Sequence, residues 1–217
     1  MAAKNQVKRK AVWGWRLGVL ALAMAVGPSC GDLTKAGKGA SYMVLDDLSG
    51  VSGSTGDSGN TLQSDVVTLV KVAGSVTGVV PTVFEDGGIV VLRVGLKDPG
   101  SASAPNTPTV NNHVTVTRYR VVYTRADGRN TPGVDVPYPF DGAVSFTTFT
   151  ATDATFVLVR AQAKLEAPLL ALRGLGGSMV ISTIAEVTFY GHDQTGVPVS
   201  VTGSISVHFA DWGDPEG

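Results

Sequence analysis

The sequence predicts an all-β fold: an antiparallel β-sandwich of eight or nine short strands joined by long loops. Three observations lead there. Valine and threonine are abundant, and apolar runs are short and alternate with hydroxyl side chains at period two. Glycine and proline turns recur at intervals close to those of two-sheet proteins. Beyond residue 40 no long stretch spaces its apolar residues as an amphipathic helix would.

Residues 42–48 are the first expected strand, and 51–60 (VSGSTGDSGN) is a loop without bulk to bury. A strand over 61–72 follows, with Val66, Val67, Leu69 and Val70 as its apolar content. After Pro81 comes a short edge piece over 82–84, then an expected turn at Glu85-Asp86-Gly87-Gly88. Residues 89–96 (IVVLRVGL) are nearly all apolar and read as a central strand. Residues 97–112, with three prolines, form a long surface loop.

The clearest alternation runs over 113–124 (HVTVTRYRVVYT). Its apolar phase begins on even positions (Val114, Val116) and moves to odd ones (Tyr119, Val121, Tyr123), which predicts a bulge near Thr117. Ala126-Asp127-Gly128 is a turn, and residues 131–142 hold three prolines and are irregular. Strands are expected over 143–150, 155–165 and 179–190, with one helical turn or an apolar loop over 167–172. The end of the chain is most legible. Residues 186–190 alternate, Asp193-Gln194-Thr195-Gly196 turns, and Val199, Val201, Ile205, Val207 and Phe209 share one face of a last strand. This hairpin of about 25 residues resembles the terminal strands of bacterial immunoglobulin-like domains, and the resemblance implies an immunoglobulin-like sandwich.

The N-terminus carries an address. Lys4, Lys8, Arg9, Lys10 and Arg16 precede an apolar run of ten, Leu17 to Val26, which ends in Gly27-Pro28-Ser29-Cys30. A basic start, a short apolar core and small residues before a cut are the parts of an export signal. Ten apolar residues fall far short of the roughly 20 needed to span a bilayer. Cys30 is the only cysteine of the 217-residue chain. Its position makes the segment resemble the signal of a bacterial lipoprotein. The resemblance implies cleavage between Ser29 and Cys30 and acylation of the Cys30 thiol, so that the lipid bilayer is the first partner. Residues 1–29 would be the signal peptide, 30–40 a flexible tether and 41–217 the β-sandwich domain. Plain secretion follows if Cys30 is not acylated.

Cleavage takes five of the 17 basic residues and none of the 18 acids, leaving a net charge of −6. Such a surface does not suit phosphate backbones, so no nucleic-acid partner is expected. Without a second cysteine there is no intramolecular disulfide, and stability rests on an apolar core.

Catalytic motifs are missing from the pattern. No glycine-flanked serine elbow, phosphate-cradling glycine loop or paired carboxylate stands out. His113, His192 and His208 are too scattered for a zinc site, and Asp127, Asn130 and Asp135 lack calcium-loop spacing. No cofactor or metal is expected. One candidate binding strip remains: Arg118, Arg120, Arg125 and Arg129 around Tyr119 and Tyr123, suited to an anionic glycan or a protein partner. The expected role is non-enzymatic: an envelope lipoprotein, in the outer membrane or at the cell surface, whose loops 51–60, 97–112 and 131–142 bind an envelope protein or glycan. The alternatives are a surface fibre or layer subunit that self-associates by strand pairing, and a hydrolase with an unrecognised carboxylate site.

Overall fold

The computed structural model describes residues 39–74 and 78–214. The expected signal peptide, residues 1–29 with Ser29, and the expected tether from Cys30 to residue 38 lie outside the described residues. In chain order the strands are β1 (Ser41–Val51), β2 (Ser58–Gly59), β3 (Thr61–Asp65), β4 (Thr68–Lys71), β5 (Val79–Thr82), β6 (Asp86–Leu96) and β7 (Gly100–Ser101). They continue with β8 (Ala104–Pro105), β9 (Val114–Thr124), β10 (Phe140–Thr148), β11 (Thr152–Val159), β12 (Ile181–Asp193) and β13 (Pro198–Ala210). A single α turn, α1 (Ala161–Lys164), and two 3-10 turns complete the described elements. The protein is all-β.

Nine strands form two sheets, ordered β11-β6-β1-β2 and β10-β9-β12-β13-β3. Their inner faces share one core, in which Val90, Leu92 and Leu158 of the first sheet meet Val121, Val187, Phe189 and Val207 of the second. Aromatic rings fill its centre: Phe156 stands edge-on to Phe189 at 5.2 Å and to Tyr119 at 5.1 Å between centroids. Pairing is antiparallel with one exception, β3 running parallel to β13 from Thr61 opposite Ser206 to Asp65 opposite Ala210. The five-stranded sheet is therefore mixed, where an antiparallel one was expected. Parallel neighbours far apart in sequence leave no local turn signal.

The phase switch in β9 is a bulge at Thr117. Tyr190 and Gly191 of β12 face Arg118 and Val116, so Thr117 is the extra residue. Three other expectations change. Gly87 and Gly88 lie inside β6 instead of a turn. Gly88 leaves space: a Cβ there would sit 2.3 Å from Cζ of Phe156, whose ring covers that strand. The expected strand 61–72 breaks into β3 and β4, because Asp65 turns back to accept the Thr68 hydroxyl at 2.5 Å. The expected strand 155–165 stops at Val159, and the helix-favouring stretch Ala161–Lys164 forms α1.

Registers fix two ends of the molecule. Ser41, Leu96, Val114, Asp193 and Pro198 lie at one, where Gly39, the first described residue, approaches the Asp193 carboxylate. Val51, Asp86, Thr124, Ile181 and Ala210 lie at the other, joined by a hydrogen bond from Ser64 to Asp86. Loops 51–60 and 131–142 reach this Asp86 end, whereas loop 97–112 stays at the Asp193 end.

Candidate functional site

At the Asp86 end the chain buries charge. Lys164 Nζ stands 2.8 Å from Asp86 Oδ2, and each side chain is only 1% exposed. β6 begins at Asp86, and α1 turns the chain so that Lys164, its last residue, points back to it. Asp86 is held from two more sides. The Gly53 N–H donates to Oδ1 at 2.8 Å, and the Ser64 hydroxyl donates to Oδ2 at 2.6 Å. One carboxylate thus ties both sheets, α1 and the loop after β1. An unpaired ion at this depth would be very costly, and these donors offset the loss of water.

Asp65 is the neighbouring buried acid. It accepts the Thr68 hydroxyl on Oδ2 and the Trp212 N–H on Oδ1 at 3.1 Å. Burial pushes its carboxyl above the usual range, against the opposing pull of those donors and of the Lys164 charge.

Above these acids opens a cleft of about 290 Å³. Hydroxyl and amide side chains line it, among them Ser52, Thr55, Thr61 and Gln63, together with the carboxylates Asp57 and Asp65 and with Trp212. The indole nitrogen of Trp212 is buried with no acceptor among the described residues. Loop 51–60 contributes Ser52, Ser54, Thr55, Asp57 and Ser58 to this lining. Gln63 and Asp65 were not foreseen as site residues, because their convergence with Trp212 depends on the parallel pairing of β3 with β13.

Beside the cleft projects the ribbon of β4 and β5, with Leu69, Val70, Val72, Val79 and Val80 all exposed. Pro81 sits in β5 and withholds a donor from that edge.

The arginine strip is distributed differently from its order in sequence. Arg118 and Arg120 lie on the outer face of β9 and both reach Asp141 of β10, at 3.2 and 2.7 Å. The Arg118 guanidinium also lies 3.8 Å from the ring centroid of Tyr190. Arg125 and Arg129 share Asp127 in the turn after β9, at 2.5 and 3.3 Å. Hydrogen bonding from Arg125 holds the Asp127 carboxyl down at about 2. Tyr119 and Tyr123 face the opposite way, into the core. The structure therefore brings the arginines to carboxylates of the same chain and removes the tyrosines from their surface.

Among the described residues no three histidines, cysteines or acids converge as a metal ligand set. No described helix is long and apolar enough to cross a membrane. Comparison of the chain with protein-family models, curated proteins and solved structures finds no match.

Proposed function

We propose that this chain is a non-enzymatic envelope lipoprotein, anchored through acylated Cys30, whose immunoglobulin-like sandwich carries a glycan-binding cleft. The sheet orders support the sandwich reading. With β1, β6 and β11 as strands A, B and E, and β9, β10, β12 and β13 as C, C′, F and G, the division matches that of immunoglobulin domains.

The observation that carries the functional reading is the chemistry of the cleft lining, where hydroxyls and the Gln63 amide accompany Trp212, whose indole nitrogen is buried without an acceptor among the described residues. Hydroxyls, an amide and an indole suit an uncharged sugar face, which needs many hydrogen bonds and one flat apolar surface. The arginines, already partnered by Asp141 and Asp127, fit an anionic ligand less well.

The test is calorimetric titration of the full chain with soluble peptidoglycan fragments and envelope polysaccharide. Binding should weaken at least about tenfold, near 1.4 kcal/mol, in Trp212→Ala and Gln63→Ala, and be kept in Arg118→Ala. Absence of binding to either probe, or loss only in Arg118→Ala, rejects the cleft.

The exposed apolar ribbon of β4 and β5 supports a second reading, in which the protein assembles with its own copies through that ribbon. Sedimentation should then show a concentration-dependent oligomer that Val70→Lys and Val80→Lys dissolve. A monomer at every concentration rejects it.

A further inference from the structure

We propose that Lys164 and Asp86 join covalently, the lysine amine condensing with the aspartate side chain to an amide that cross-links the fold. Contact is already made. The amine nitrogen lies 2.8 Å from one carboxyl oxygen, so the fold holds it beside the carboxyl group it would attack. The pair is sealed, each side chain 1% exposed, so the two groups are held against each other without competing water. The same sealing denies the product the bulk water that would hydrolyse it.

The other two donors stand where the reaction needs them. In the condensation Lys164 Nζ attacks Asp86 Cγ, and negative charge gathers on Oδ1, which the Gly53 N–H already holds at 2.8 Å. The leaving oxygen is Oδ2, which the Ser64 hydroxyl contacts at 2.6 Å and can protonate. The C–N bond forms and the C–Oδ2 bond breaks. The amine gives up one hydrogen and the acid its hydroxyl, and they depart together as one water. No oxidant, reductant or further reactant is required. The bond would close the chain between residues 86 and 164 and tie β6 to α1, removing freedom from the unfolded state.

Peptide mapping of the purified full chain by tandem mass spectrometry tests this. The expected product is a branched peptide joining the Lys164 and Asp86 segments, lighter by one water than the two together. Trypsin should fail to cut after Lys164, and hydroxylamine should leave the branch intact. In Lys164→Met and Asp86→Ala both segments should appear as separate linear peptides. Linear segments at full mass in the wild-type protein would overturn the proposal. So would water loss confined to one linear peptide at Asp86-Gly87 that hydroxylamine cleaves, since that marks a cyclic imide. The wild-type map alone decides, whether or not either variant folds.

Discussion

Tyr123 on β9 donates its hydroxyl to the carbonyl of Leu158 on β11, 2.6 Å away across the space between the two sheets. The bond joins the sheets through the core, and it explains why a tyrosine occupies a place where phenylalanine would fill the volume. Removing the hydroxyl strands a buried carbonyl, so Tyr123→Phe should lower the unfolding free energy by about 1–3 kcal/mol in urea titrations. Unchanged stability would show that the bond is not formed.

Burial also pushes the Tyr123 phenol far above the ordinary tyrosine value, and that of Tyr119 upward as well. A phenol kept protonated in the fold favours the native state fully below the unfolded value, near 10, and that support is lost as pH rises beyond it. Ultraviolet titration should show two of the five tyrosines ionising only together with unfolding.

The buried contact of Lys164 with Asp86 should dominate single-site energetics. Lys164→Met leaves a buried carboxyl facing no cation, and Asp86→Ala leaves a buried amine with no acceptor. Each should cost about 3–5 kcal/mol in denaturant unfolding. The double variant should lose much less than both losses added, because neither charge then remains. Additive losses would mean that the two groups do not sense each other.

Asp127 offers a pH test at an exposed turn. Its carboxyl, held at about 2 by Arg125, should titrate there by NMR and return toward about 3.9 in Arg125→Ala or in high salt. Since the folded value is the lower one, the turn's contribution is present above the unfolded value and disappears as pH falls toward 2.

Gly88 is a packing prediction. A methyl group there would meet the Phe156 ring at 2.3 Å, and the ring is itself pressed against Phe189. Gly88→Ala should therefore destabilise by about 1–3 kcal/mol, and Gly88→Ala with Phe156→Leu should recover part of it.

What the sequence disclosed was local. The alternation of β12 and β13, the turn at Gly196 and the bulge at Thr117 are all written in neighbouring residues, because a strand shows its two faces at period two. What it hid depended on distant partners. Gly88 read as part of a turn because the ring that needs its space belongs to Phe156 on β11. Lys164 read as part of a strand because its counter-charge lies at the start of β6. The candidate cleft was half legible. Loop 51–60 declared itself by its lack of bulk, but Gln63, Asp65 and Trp212 meet only through the parallel edge of β3 and β13. The arginines were visible as a cluster, and their partners Asp141 and Asp127 became identifiable only with the register of β10 and the fold of the turn.

The proposed role depends most on the thiol at position 30. Detergent-phase partitioning of the native protein, paired with N-terminal mass analysis, tests it directly in wild type and Cys30→Ala. The wild-type protein should enter the detergent phase and begin at Cys30 with acyl mass attached, and Cys30→Ala should stay in buffer. A wild-type protein that stays in buffer with an unmodified cysteine would contradict the anchor.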